Sequence, residues 1–285
     1  MITEKIKNKV LCSTGTIIGG VNNFNYTLVP EYAKHINCDG YEFMMEPMWN
    51  TEEKINEILS SLLPFNINFE TMHTDKDIGL YISRNEHGDF DEALRIFKME
   101  CKAASKLGVK LLVLHLWSGP PSDKNIEVNI KAYSELLEIA GEHNLILTVE
   151  SIVCNTYNPL IHMKKLYETY GNSIKFTVDV RHLAFHDIIK ETFEADFLWE
   201  NNLVPHFHIA DWNGGYMEWS KLRPVVAPGE GNIDFDYISD FLKKTDYRGS
   251  LTLEAAGART ETGIDFEKVN QRLDFIYRLL MKRGV

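Results

Sequence analysis

The feature that most constrains what this chain can fold into is a strand–helix pair repeated eight times. Short runs of β-branched and apolar residues read as strands at Lys9–Ser13, Gly40–Met45, Ile67–His73, Lys110–His115, Ile146–Glu150, Ile174–Val180, Val204–Ile209 and Gly249–Glu254. Stretches with helical spacing follow them, near 27–37, 51–63, 90–107, 125–143, 160–170, 184–196, 234–244 and 266–282. Within 125–143, Ile126, Val128, Ile130, Tyr133, Leu136, Leu137 and Ile139 recur at roughly amphipathic intervals. Thr51-Glu-Glu and Thr262-Gly-Ile-Asp265 supply cap signals. Strand–helix alternation implies a parallel sheet, and eight units in 285 residues is the usual size of a closed barrel. The expectation is one α/β domain over residues 1–285, a (β/α)8 TIM barrel. A doubly wound open sheet would bring a Gly-rich phosphate turn after an early strand. Thr14-Gly-Thr-Ile-Ile-Gly-Gly20 lacks the GxGxxG spacing and reads as a first βα loop.

Composition narrows the partners. A net charge of −11 disfavours a protein that lives on phosphate backbones, so no nucleic acid is expected. Met1–Val10 has no apolar signal core, and Lys110 and His115 break the longest apolar run. No membrane segment is therefore expected. Cys12, Cys38, Cys101 and Cys154 are scattered without a CxxC pair, which reads as reduced thiols in a cytoplasmic protein. The expected partner is a small molecule, with a homo-oligomer left open.

The chemistry stands at the strand ends. Strand five ends Leu147-Thr-Val-Glu150, strand six Phe176-Thr-Val-Asp179, strand seven His206-Phe-His208 and strand eight Leu251-Thr-Leu-Glu254. Side chains two apart on a strand share a face, so each polar pair can point into the barrel. Thr71-Met-His73 and Val113-Leu-His115 add to the same rim. Three carboxylates converging with an imidazole need a compensating cation. The spacings of 29, 29 and 46 residues between Glu150, Asp179, His208 and Glu254 are those of side chains on nearby strands. An oxygen-rich set with one nitrogen suits one divalent ion, Mn2+ or Mg2+ before Co2+ or Zn2+. Taken singly, each residue reads equally well as a solvated strand end or half of an ion pair; their repetition on four consecutive strands is what points to a metal.

At these residues the chain resembles the xylose isomerase-like TIM-barrel superfamily, which groups sugar isomerases and epimerases with zinc-dependent abasic-site endonucleases. The resemblance spans essentially the whole chain and is most specific at Asp179-Val-Arg-His182, His208-Ile-Ala-Asp211 and Pro228-Gly-Glu-Gly231. It implies a metal held by Glu150, Asp179, His208 and Glu254, with Glu150 and Glu254 also the acid–base pair, and His182 and Arg223 holding substrate oxygens. The endonuclease branch needs three zinc ions. His73, His115 and His182 match three of the added ligands, but Pro224 and Val226 stand where an Asp-x-His pair should fall.

The expected function is therefore a metal-dependent sugar or hydroxy-ketone isomerase or epimerase working by proton transfer through an enediolate. The alternatives are a dehydratase of a cyclic polyol or shikimate-type compound, an abasic-site endonuclease, and a metal-free binding barrel. His73 and His115 are expected at the substrate or at an optional second ion, His206 as a hydrogen-bonded core residue, and Asp211 behind the metal ligands, orienting His208 or Arg223. His87 and His186 are expected on loops or helices without function. Trp117 and Trp212 could wall a pocket or simply pack their loops, Glu46 could face the pocket, and Glu230 should serve its own glycine turn. Lys221, Arg223, Arg259 and Arg84 are candidates for a substrate phosphate.

Overall fold

The computed structural model describes residues 8–255, 259–260 and 263–281. Residues 1–7, Thr262, residue 282 of the last predicted helix and the side chain of Arg259 lie outside the described residues. Eight parallel strands close in sequence order. They are β1 (Lys9–Ser13), β2 (Gly40–Met44), β3 (Phe69–His73), β4 (Leu111–Leu114), β5 (Ile146–Glu150), β6 (Phe176–Asp179), β7 (His206–Ile209) and β8 (Ser250–Leu253). The barrel shuts where Val10 pairs Leu251 and Cys12 pairs Leu253. The predicted (β/α)8 barrel is thus the fold, and every predicted strand is present.

The two faces of each strand separate cleanly. Cys12, Phe43, Met72, Leu112, Val149, Val178, Phe207 and Leu253 point outward into one continuous buried core beneath the helices. Burying such side chains is the main driving force for closure, at roughly 1.5–3 kcal/mol for a large aliphatic or aromatic group. The inward face is different. Branched apolar residues usually fill a barrel, whereas here Glu42, Thr71, Thr148, Thr177, His206 and Thr252 are all buried. They satisfy one another: Thr71 donates to Glu42 at 3.1 Å, the Thr148 and Thr177 hydroxyls lie 2.7 Å apart, and His206 reaches Ser250 at 2.6 Å. His206 is thus the hydrogen-bonded core residue that the sequence suggests.

Helices depart from expectation where the backbone turns. The predicted helix 184–196 is three short helices, Val180–Phe185, Ile189–Phe193 and Asp196–Trp199, interrupted first by Asp187 in the left-handed region at φ 53°. The stretch 27–37 resolves into short turns at Tyr26–Leu28, Val29–Tyr32 and Ala33–His35. Between the strand predicted to end at His73 and the helix predicted near 90–107, where the sequence reading places no element, stands a helix, Ile78–Arg84. It packs so closely that a Cβ on Gly79 would lie 2.3 Å from the His115 carbonyl oxygen. Among the described residues, no helix is long and apolar enough to cross a membrane.

Candidate metal centre

The strand ends deliver what their two-residue periodicity implies. Donor atoms of Glu150, Asp179, His208 and Glu254 all lie within 4.8 Å of one another. His208 is the hub: its Nδ1 is 2.9 Å from Glu150 Oε1 and 2.9 Å from Glu254 Oε2. Its Nε2 is 3.1 Å from Oε2 of Glu42, at the centre of β2. With carboxylates on both sides, the imidazole's pKa is driven well above its ordinary value; burial works against this, and the negative charges of Glu42, Glu254 and Glu150 prevail. Glu150 is held well below the usual range for the converse reason: burial would raise it, but His208 and His115 outweigh that.

Asp179 ends β6 and caps the helix that follows. Its Oδ1 accepts from the backbone N–H groups of Arg181 at 2.7 Å and His182 at 3.1 Å. That leaves Oδ2 facing the cluster. Burial, followed by the charges of Glu150 and Glu254, raises its pKa to about 7, against the relief offered by Arg181. A carboxyl whose charge is disfavoured by burial and then by two neighbouring carboxylates marks a place where added positive charge is stabilising. The donor set therefore fits a divalent cation, whose charge would take the place of a proton there.

The cluster lies against a 560 Å³ cavity whose lining includes Glu46, Lys76, His115, Arg181, His182 and Arg223, a volume within the range of small-molecule sites. Glu254 is the more open of the two glutamates, its side chain 18% exposed, and Lys76 stands 3.9 Å from its Oε1. His115 reaches Glu150 Oε2 at 2.6 Å. His73 reaches the same oxygen at 3.2 Å but is wholly buried. It pairs with Val113 in the register, so it sits one pleat deeper than His115, behind Glu150 rather than on the cavity wall. His73, His115 and Glu150 form a second group of clustered donors that shares Glu150 with the first.

Some roles differ from expectation. Asp211 touches neither His208 nor Arg223 through any described bond. Instead it gathers four backbone N–H groups, those of Trp212 at 2.8 Å, Gly229 at 2.9 Å, Gly231 at 2.9 Å and Ile233 at 3.0 Å. The Gly-Glu-Gly turn is thus built around Asp211, and a Cβ at Gly231 would lie 2.5 Å from its Oδ1. Glu230 points away, with Arg272 at 3.6 Å. The His182 Nε2 accepts from Arg181 at 2.7 Å, so this nitrogen is occupied. Arg84 is bound to Asp89, away from the cavity. Trp117 and Trp212 are both buried. His186 is buried too and accepts from the Cys154 backbone N–H at 2.9 Å.

A family model described as the xylose isomerase-like TIM barrel matches residues 30–278. The chain belongs to the xylose isomerase-like TIM-barrel family. Among curated proteins, an inosose dehydratase from Glaesserella parasuis serovar 5 (strain SH0165) is 20% identical over 183 residues, 60% of this chain and 61% of that protein. The chain therefore spans less than two thirds of that relative's length. A solved structure of D-allulose 3-epimerase from Methylomonas sp. in complex with D-allulose superposes with a TM-score of 0.69 at 14% identity, covering 96% of this chain and 98% of that one. The IolI protein, solved with a binding zinc atom, gives 0.71 at 18% identity, covering 95% and 98%. At these identities the structures share the fold.

Against this xylose isomerase-like frame, three site residues escaped the sequence reading. Glu42 lies mid-strand, and the reading looked for charges at strand ends; its alternation with Met44 on one face was the available signal. Lys76 and Arg181 sit in segments whose path into the cavity no local pattern reveals.

Proposed function

We infer that this chain is an enzyme, a divalent-metal-dependent isomerase or epimerase of a sugar or related hydroxy-ketone. The observation that carries the reading is the convergence of two ionised glutamates from β5 and β8 on one imidazole, beside a carboxyl pushed up to about 7, at the floor of a polar cavity. Glu150, Asp179, His208 and Glu254 would hold the ion. A divalent ion there supplies Lewis acidity toward the negative charge of an enediolate. Glu254 has its pKa lowered to about 2; burial opposes this and the His208 charge overcomes it, so it is a carboxylate at neutral pH and can accept a proton from the carbon beside the carbonyl. Glu150, ionised at rest by His208 and His115, is its counterpart on the other side: it would first take a proton from solvent by way of His115, 2.6 Å from its Oε2, and then pass that proton to the enediolate carbon. Arg223, Arg181 and His182 line the cavity where substrate oxygens would be held, His182 fixed by the bond from Arg181 and its protonation disfavoured by burial and by Arg181. Lys76 completes a cationic wall.

The test is proton exchange with solvent. In D2O, a ketose or inosose substrate should gain deuterium at the carbon next to its carbonyl, followed by NMR. Glu254→Gln should abolish this, with circular dichroism unchanged, and chelation should do the same reversibly; full turnover in either case overturns the reading. The likeness to an inosose dehydratase favours a second reading, elimination of water from a cyclic polyol, which the same spectra would reveal as loss of a hydroxyl-bearing carbon signal.

A further inference from the structure

Three residues unused by the mechanism form a further buried cluster among the segments that follow β4 and β5. Asp123 comes from the first turns of the helix Gly119–Glu142, His162 from the helix Pro159–Tyr170, and Cys154 from the loop after β5. A carboxylate oxygen, a ring nitrogen and the sulfur of these three lie within 4.8 Å of one another, and all three residues are buried. His162 Nε2 is 3.3 Å from Asp123 Oδ1. That is the separation of two ligands about 2 Å from a shared tetrahedral ion.

The surroundings are built to hold these ligands. The other oxygen of Asp123 accepts from the backbone N–H groups of Asn155 and Thr156, leaving Oδ1 for the cluster. Trp117 packs edge-on against the His162 ring at 5.1 Å and donates its indole N–H to the Ile152 carbonyl at 3.2 Å. His186 adjoins the set through its bond to the Cys154 backbone. An independent sign comes from the rings: His162 Nδ1 and His186 Nδ1 are both buried without a hydrogen-bond partner. Such orphaned atoms are uncommon in interiors; the ligand atoms themselves rest on one another and on the Ile152 carbonyl, contacts that an ion would replace.

We propose that Asp123, Cys154 and His162 form a structural zinc site, distinct from the metal centre at the barrel mouth. Sulfur with nitrogen and oxygen favours Zn2+ over Mg2+ or Mn2+. The ion would pin the start of the helix Gly119–Glu142 to the segment that follows β5 and to the helix Pro159–Tyr170. Binding converts the Cys154 thiol to thiolate and releases its proton to solvent. The proposal is independent of the reaction at the mouth.

Cobalt separates the two sites, because no cysteine lines the cavity at the mouth. Metal-free protein titrated with Co2+ should develop near-ultraviolet thiolate-to-cobalt absorption. The band should persist in the double variant Asp179→Asn/Glu254→Gln and vanish in Cys154→Ser, while His162→Gln should weaken Co2+ binding at that site by roughly tenfold or more. If Cys154→Ser does not fold, as judged by circular dichroism, Asp123→Asn serves in its place and should likewise lose the band. Absence of the band in the wild-type protein at saturating Co2+, or its survival in Cys154→Ser, overturns the proposal.

Discussion

Single side chains decide how the mouth of this barrel treats charge. Glu42 touches both His206, at 3.2 Å, and His208, at 3.1 Å, so it fixes which nitrogen of His208 faces the carboxylates above. A metal-bound imidazole with its other N–H on a carboxylate is a stronger and better-aimed ligand. Glu42→Gln should lower divalent-metal affinity about 10–100-fold, read by competition against a fluorescent chelator, with the barrel intact by circular dichroism. Asp179 makes a separate prediction. Because its pKa is raised to about 7, metal uptake at pH 6 should expel close to one proton from this group and another from the His208 ring, which its carboxylate neighbours hold protonated, and affinity should climb with pH through 7 and beyond. Calorimetric titrations in buffers of different ionisation enthalpy measure both. A pH-independent affinity between 5 and 7 would contradict this account of the site.

At the scale of elements, the Asp211 turn is the most exposed to a small change. Four backbone donors depend on one carboxylate, and a charged acceptor is roughly twice as strong as a neutral one. Asp211→Asn should cost about 1–3 kcal/mol, seen in thermal denaturation, and should loosen the segment carrying Gly229 and Gly231. How much was legible beforehand follows the same division. Strands were readable because polar and apolar residues alternate: Thr148 and Glu150 go in, Leu147 and Val149 out. The convergence of Glu150, Asp179, His208 and Glu254 was readable because they finish such strands. Asp211 was assigned the wrong partner, since the return of a turn 18 to 22 residues downstream leaves no periodic trace. The helix Ile78–Arg84 was missed because Gly79 reads locally as a breaker, yet here serves close packing against the β4 end. The break at Asp187 was missed because any residue can be read into a helix until its neighbours demand a positive φ.

The whole molecule concentrates its histidines in the interior, and that sets its response to acid. His115 and His186 are each lowered to about 4, chiefly by burial, and His182 and His206 are lowered for the same first cause. For each, the unfolded chain binds the proton more readily, so the stability is present above pH 6.5 and drains away as pH falls toward 4. Asp179, Glu100, Glu46 and Asp75, each raised first by burial, act in the opposite sense, but toward pH 4 the lowered carboxyls Glu42, Glu150 and Glu254 join the histidines, because the unfolded chain protonates them first. Metal-free protein should therefore melt at progressively lower temperature from pH 6.5 to 4, with the steepest loss near the lower end. A melting temperature flat across that interval would contradict the burial of these rings.

Glu150 belongs to two neighbourhoods at once, offering Oε1 to His208 and Oε2 to His73 and His115. A carboxylate has one charge to divide. Whatever draws electron density toward the histidine pair, whether a proton or an ion, leaves less for the partner on the opposite side, and the two halves of the rim are obliged to trade strength rather than gain it together.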